Sequence, residues 1–408
     1  MDTQIIQAAE RHRDNMIRFL RDLIALPSAS GKEKEVAARV KQEMEKVGFD
    51  EIRIDRTGNV LGRIGNGKHV IAMDAALDTA GIGDPALWPF NPFKGKLENG
   101  IVYGRGAADR KSAMACLIYG AQIIKDLELN GDFTLWIAGT VQAENCDGLC
   151  WDAILRENVL DAAPEAVVVA APTNLKICRG HRGRARFVVV AHGASCCSAT
   201  PERGVNAVDT AVKIAAEIEK LNTGLPVDPV LGKATVAVTR IDCETPSTSA
   251  VPDKARLFID RRLTADETAE KALDEIKAAI ERAGFETGKD ADAALDVSRV
   301  QFYTGCETQC ESRFAGWTLD EDTPLFAAAV ESCKAAVENN PQTGVLSLST
   351  NGAATMGVHK IPTVCFGPAD ESFTDTVNDQ CPVDHLIKAA AFYAAFPAKY
   401  LNAVRKQA

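Results

Sequence analysis

Apolar side chains recur at helical spacing from Ile5 to Leu26, where Met16, Phe19, Leu20, Leu23 and Ile24 share a face and charged residues lie between them. Pro27 ends this predicted helix. Ser30-Gly31-Lys32-Glu33 reads as a capping box opening a second helix, which Gly48 closes. The period then shortens. Ile52 to Asp55 alternates like a strand, and His69 to Met73 is a short apolar run of the kind buried on both faces, with Asp74 to Asp78 just beyond its end. Lys111 to Leu127 is helical, with Asp109 at its entrance. Phe133 to Val141 is a strand that delivers Ala143 and Glu144 to its C-terminal end. Ala166 to Ala170 is another strand, ending at Ala171-Pro172-Thr173.

Strands alternating with helices predict an α/β domain with a mainly parallel sheet, whose sites lie at the carboxyl ends of the strands. After about residue 182 the pattern changes. A strand (Arg186 to Ala191), a helix (Asn206 to Leu221), two strands (Ala234 to Ile241 and Lys254 to Arg262) and a helix (Glu267 to Ala283) make a compact α+β unit of ferredoxin-like order. A helix near Pro324 to Asn339, a strand near Thr363 to Phe366 and a last helix from Val383 return to the first pattern. The expected domains are therefore 1–182 with 298–408, and an inserted unit, 183–297.

Composition narrows the function classes. The chain has 408 residues, 46% hydrophobic and 25% charged, the balance of a folded globular protein. A net charge of −10 argues against nucleic acid, which needs a basic face. No apolar run reaches the length of a membrane span, and the N-terminus lacks a basic start followed by an apolar stretch, so a cytoplasmic protein is expected. The 12 cysteines are scattered. Neither Cys146-x-x-x-Cys150 nor Cys306-x-x-x-Cys310 has a second pair or a nearby His to complete a metal site, so free or buried thiols are expected.

One segment, Gly104-Arg105-Gly106-Ala107-Ala108-Asp109-Arg110-Lys111-Ser112, carries the most information. It resembles the bridging-aspartate motif of the di-zinc amidohydrolases and peptidases related to aminoacylase, carboxypeptidase G and succinyl-diaminopimelate desuccinylase. The resemblance extends over Trp88 to Phe93, Thr140-Val141-Gln142, Pro172-Thr173, Gly180 to Arg184, Pro201 to Gly204 with Asn206-Ala207, Asp260 to Thr264 and Phe366-Gly367-Pro368. It is most like the branch described as selenium-metabolism-linked hydrolases. It implies a zinc-exopeptidase-like domain with an inserted lid that often dimerises.

The resembled chemistry uses two zinc ions bridged by a carboxylate and a water. Projected onto this chain, the orienting Asp78 and the bridging Asp109 are present, but the ligand His before Asp78 has become Ala76. Glu144 remains as a ligand, while Ala143 replaces the general base. Ala171 replaces a carboxylate ligand. Asp375 stands in register with the last His, with Asn378 and Asp379 near the end of that motif. Zinc favours imidazole, thiolate and carboxylate donors in a tetrahedral shell. One position would keep Glu144, Asp109 and Asp375, and the other Asp109 alone.

The expected function is therefore a non-catalytic homologue with no cofactor. It would bind a small amino-acid-like ligand or serve an active hydrolase partner, as a homodimer. The alternative is a hydrolase of an amide, N-acyl or N-carbamoyl bond with one divalent metal (Zn²⁺, Mg²⁺ or Ca²⁺) or a rewired site. Arg110, Cys197, Asn206, Arg261, Arg262 and Asn351 are the candidate ligand contacts. Strand alternation turns one of Arg261 and Arg262 toward a cleft, where it could clamp a carboxylate. Arg110 or Lys111 is expected to substitute for part of the missing cationic charge, the counter-expectation being an Arg110 pointing to solvent. Cys197, beside Cys196, occupies the position of a lid His.

Overall fold

The computed structural model describes residues 2–407. In chain order, α1 (Asp2–Arg11), α2 (Arg13–Ile24) and α3 (Lys34–Val47) lead into β1 (Glu51–Ile54), β2 (Val60–Ile64) and β3 (His69–Ala76). Then come α4 (Ser112–Asp126), β4 (Phe133–Thr140), α5 (Leu149–Arg156), β5 (Ala166–Val169) and β6 (Ile177–His181). The inserted part is β7 (Gly183–His192), α6 (Ala207–Lys220), β8 (Thr235–Glu244), β9 (Lys254–Leu263), α7 (Ala269–Arg282) and β10 (Ala291–Leu295), with β11 (Arg313–Phe314) following later. The chain closes with α8 (Pro324–Ala336), β12 (Thr343–Leu346), β13 (Thr363–Cys365) and α9 (Val383–Gln407).

Two compact units result: residues 1–181, 300–308 and 318–408, and residues 182–299 with 309–317. The second stretch of the smaller unit carries β11, which pairs with β7. The sequence pattern had left it in the larger one, because two residues of strand give no period to read.

The sheet of the larger unit runs β1–β2–β4–β3–β5–β13–β6. Its centre, β4–β3–β5–β13, is parallel, and β1, β2 and β6 flank it antiparallel. Both faces of the centre are covered, so β5 reads as an unbroken apolar run and β3 as an apolar run interrupted by Asp74. Helices α4 and α9 pack against each other, and nearly every residue of α4 is buried. The two come close at Gly120, where a Cβ would sit 2.9 Å from Tyr393 Cβ and 3.2 Å from Ala390 O. Tyr393 Oη donates to Phe366 O (2.7 Å), and Phe366 stacks on Phe392 at 3.7 Å, which fixes α9 to the end of β13. The parallel strands all end on one side, and Asp78, Glu144 and Ala171 follow those ends.

Local chemistry departs from expectation in two places. The N-terminal helix is two helices, divided at His12, whose ring pairs with Asp126 at 2.6 Å. The capping box does not form: α3 starts without a side-chain cap, Ser30 Oγ donates to Asp78 (2.7 Å) and Glu33 accepts from Gln142 N (3.1 Å). A Ser-x-x-Glu spacing serves a helix start or distant partners equally well, and here the distant partners win. Gly48 closes α3 in the left-handed conformation, as read.

The smaller unit is an antiparallel sheet ordered β8–β9–β7–β10, with α6 and α7 packed on it. This is the ferredoxin-like arrangement. Burial alternates strictly along β7 and β9. Phe187, Val189, Leu257 and Ile259 form the core with Ile214 and Ile218 of α6 and Ile276 and Ile280 of α7. The closing strand β10, Ala291-Asp292-Ala293-Ala294-Leu295, was not anticipated, since alanine carries little strand signal. Among the described residues no helix is long and apolar enough to cross a membrane.

Candidate functional site

Asp109 lies in an irregular turn, Ala107–Lys111, between the Gly104–Gly106 loop and α4, and the Asp109–Arg110 peptide is cis. Asp379 pins that turn. Its buried carboxylate accepts from Gly106 N and Ala108 N, both at 2.7 Å, and from Arg105 at 3.3 Å. Burial still pushes Asp379 up to about 7, because those donors only partly offset the loss of water. Arg105 also lies 5.0 Å from the Trp88 ring centroid, so the aromatic loop stiffens the same turn. Asp379 thus organises the loop that presents Asp109.

Asp78 is a second hub. It follows β3, is 1% exposed, and accepts from Ser30 Oγ (2.7 Å), Ala143 N (3.0 Å) and Glu144 N (3.0 Å). Burial raises its pKa, and the three hydrogen bonds work against that rise. With no His at position 76, its carboxylate holds the loop after β4 instead. Below it, Asp74 lies inside β3 rather than beyond its end. It accepts from Thr140 Oγ1 (2.8 Å) and Asn351 Nδ2 (2.7 Å), and burial raises its pKa as well.

Arg110 turns into this cluster. Its side chain is 4% exposed, and Nε donates to Asp109 Oδ1 at 2.5 Å. Its Nη1 is buried with no hydrogen-bond partner. Burial opposes the guanidinium charge, yet Asp109, Glu144 and Asp147 outweigh it and hold the proton more firmly than usual. Glu144 goes the other way. Burial first, then Asp109 and Asp78, push it up to about 9, so it is largely protonated near neutrality. Asp375, half exposed and 3.6 Å from Arg105, is raised by burial and by Asp109. Arg110 is therefore one of two cations among these carboxylates, the other being Arg105 beside Asp375 and Asp379. Lys111 is not: its Nζ donates to Leu23 O (2.9 Å) and Leu26 O (2.8 Å) at the end of α2, and burial lowers its pKa to about 7.

The donor set does not fit two zinc ions. Ala76, Ala143 and Ala171 are each at most 3% exposed and offer no side-chain donor. Among the described residues no three His, Cys, Asp or Glu side chains converge as a metal requires. Asp109, the one carboxylate that both ions would share, is engaged by Arg110.

Other expected contacts are spent elsewhere. Asn351 donates to Asp74 and Thr140 and accepts from Gly148 N (2.9 Å), so it braces the floor of the site. Asn206 caps α6, accepting from Val208 N at 3.0 Å. Arg261 falls on the core face of β9, 1% exposed, and pairs with Glu267 and Glu275. Arg262 faces the opposite way and pairs with Asp260 at 2.7 Å. Alternation thus holds for the two arginines, but the inward one meets its own unit's carboxylates. Cys197 is exposed. Cys146 and Cys310 are disulfide-bonded, which corrects the free-thiol reading for those two. The roles of Asp74, Glu33 and Asp379 were missed. A charged residue inside the apolar run Val70 to Ala76 was the available signal for Asp74.

Comparison with known proteins decides the family. The model of "Peptidase family M20/M25/M40" matches residues 73–399. The chain belongs to this family. It is 41% identical over 399 residues to "Uncharacterized protein YgeY" of Escherichia coli K12, covering 97% of each chain. It is 28% identical over 402 residues to a succinyl-diaminopimelate desuccinylase of Dinoroseobacter shibae, covering 93% of this chain and 97% of that one. The fold matches the M20 metallo-carboxypeptidase Sso-CP2 of Sulfolobus solfataricus (TM-score 0.76, 17% identity, 94% and 99% of the chains). It also matches the di-peptidase Dug1p of Saccharomyces cerevisiae (TM-score 0.78, 13% identity, 98% and 99%). The M20/M25/M40 match spans Asp78, Asp109, Glu144 and Asp375, so the alanines at 76, 143 and 171 lie within the family's own frame.

Proposed function

We propose that this M20-family chain is a non-catalytic homologue. It uses the site at the strand ends to bind a small amino-acid-like ligand, or acts there as a structural or regulatory subunit of an active hydrolase. The combination of alanines at 76, 143 and 171 carries this reading, since the resemblance assigns a metal ligand, the general base and a second metal ligand to these positions. Loss of a general base alone typically costs about 10²–10⁴ in rate. Without a metal, the usual means of activating the water at neutral pH is lost as well. The names of the relatives, a desuccinylase and a di-peptidase, favour N-acyl amino acids and short peptides as the ligand class. A cytoplasmic homodimer formed through the smaller unit completes the proposal.

The alternative, a C–N hydrolase with one metal, needs Asp109, Glu144 and Asp375 to act as anionic ligands together. The pairing of Asp109 with Arg110 weighs against it.

The test is to incubate the protein with excess zinc, desalt it, and measure metal content and turnover of N-acyl and N-carbamoyl amino acids. The same compounds are then screened for thermal stabilisation. The expected result is less than about 0.2 metal per chain, no turnover, and stabilisation by a member of the panel. One or two firmly held metals with turnover would overturn the proposal.

A further inference from the structure

The larger unit holds a cavity of about 250 Å³ at the C-terminal end of α5. The helix begins at the floor of the strand-end site, where Gly148 N donates to Asn351 Oδ1 (2.9 Å), and its 8 residues carry the chain about 12 Å from there. It stops because Asn158 turns left-handed (φ 51°) and Val159 N returns to Ile154 O at 3.0 Å. The floor of the cavity is apolar: Ile154, Leu160 and Ile361 are each at most 9% exposed. Ala163, Arg156 and His359 are part of the wall.

The walls are fixed within the protein itself. Arg53 holds the turn after α5 through Val159 O and the Asp161 carboxylate. Backbone bonds from His359 N to Ala354 O (2.9 Å) and from Ile361 N to Thr355 O (2.8 Å) hold the other segment. A cavity with pinned walls is formed in advance, so binding there orders little of the chain. The polar part is organised by Asp152. Its Oδ1 pairs with His359 Nε2 (2.9 Å) and its Oδ2 with Arg156 Nε (3.0 Å). That carboxylate is spent on these two groups. Arg156 is oriented through Nε, and its side chain is 72% exposed, which leaves the outer edge of its fork open. A fork oriented by one carboxylate can take a second one end-on, in two parallel hydrogen bonds.

We propose that this cavity is a binding site for a small monocarboxylate with a branched aliphatic or phenyl body. The body covers Ile154, Leu160 and Ile361, and the carboxylate takes the open edge of Arg156. The volume lies just under the roughly 300–1,000 Å³ of drug-sized sites, which limits the ligand to about the size of one amino acid. A second charge on the body would be set against the apolar floor without a partner, which excludes dicarboxylates.

The experiment titrates the full-length protein with 3-methylbutanoate and phenylacetate, and with the two corresponding uncharged amides, by saturation-transfer NMR. The parent is compared with R156Q, R156K and Ala163→Phe. Both positions are exposed, so the variants should keep the parent's thermal midpoint. The acids should bind saturably and the amides about tenfold more weakly. R156Q should bring the acids down to the level of the amides. R156K, which keeps the charge and loses the fork, should fall between. Ala163→Phe fills the cavity from its wall and should abolish binding of both acids. The proposal is wrong if neither acid binds saturably, or if acids and amides bind alike. It is equally wrong if Ala163→Phe leaves binding intact, because the acids then sit elsewhere, the strand-end site included. None of these outcomes bears on the non-catalytic reading, which rests on other residues.

Discussion

Arg110 in the larger unit and Arg261 in the smaller are both almost completely buried, and they are held in different ways. Arg261 in the smaller unit meets a matched set: Nη2 reaches Glu267 (2.5 Å) and Glu275 (3.4 Å), and Nη1 donates to Arg262 O (2.6 Å). Glu267 in turn accepts from Thr264 N (2.8 Å) and Thr264 Oγ1 (3.0 Å). Each charge there has a local partner within about 15 residues of sequence, as structural ion pairs do. Arg110 in the larger unit bonds one carboxylate and answers to charges drawn from loops far apart in the chain, although each of the two arginines keeps one buried nitrogen without a hydrogen-bond partner, Nη1 of Arg110 and Nε of Arg261. Buried charge that is satisfied locally builds a fold. Buried charge gathered from several strand ends marks a site inherited for chemistry.

The comparison breaks first at Arg261. Replacing it with Met strands Glu267 in the core and should cost about 3–5 kcal/mol, whereas R261M with E267Q removes both charges and should recover most of that loss. Amide exchange across Lys254–Leu263 would read both variants. A double variant no more stable than R261M would mean that Arg261 is not held by its pairing with Glu267.

Glu33 sharpens the contrast on the other side. It is fully buried, its Oε2 has no partner, and burial followed by the nearby Asp78 raises its pKa from 4.5 to about 7. Between those values the folded state binds more protons than the unfolded state, so stability falls as pH rises through that window. The full effect is up to about 3 kcal/mol. Glu33→Gln keeps an acceptor for Gln142 N and removes the titration. The variant should lose less stability than the parent between pH 4.5 and 7, and the difference between the two denaturation profiles isolates this group from Asp379, which titrates nearby. Superimposable profiles would show that Glu33 does not carry this burden.

These residues also mark how far the sequence could be read. Strands such as β3 and β5 were legible because burial on both faces leaves a largely apolar run, and Asp78, Asp109 and Glu144 because the resembled motifs carry them, Asp78 and Glu144 after strand ends and Asp109 at the entrance of α4. The direction of Arg110 was not legible. It precedes α4, where a long side chain can turn outward or back beneath the loop, and only the positions of Asp109 and Glu144 in space decide between them. Ser30 and Glu33 were misread for a related reason: a capping box is a local pattern, and its atoms were claimed by Asp78 and Gln142, some 48 and 109 residues away. Local regularities survive in sequence, whereas partnerships across the sheet do not.

The smallest effect tests whether the smaller unit really spends its polar groups on structure. Asn206 precedes α6, and its Oδ1 accepts from Val208 N at 3.0 Å, satisfying one of the amides that a helix start leaves free. Asn206→Ala should destabilise the protein by about 1 kcal/mol. Asn206→Asp keeps the acceptor and adds a negative charge at the positive end of the helix, so it should match or exceed the parent in a thermal unfolding scan. The Asp variant is decisive, because it keeps the capping oxygen, loses the Nδ2 group that the cap does not use, and adds a charge that the helix start favours. If it is as unstable as the Ala variant, that amide nitrogen is engaged, Asn206 is more than a cap, and the division between a structural unit and a chemical one fails at this residue.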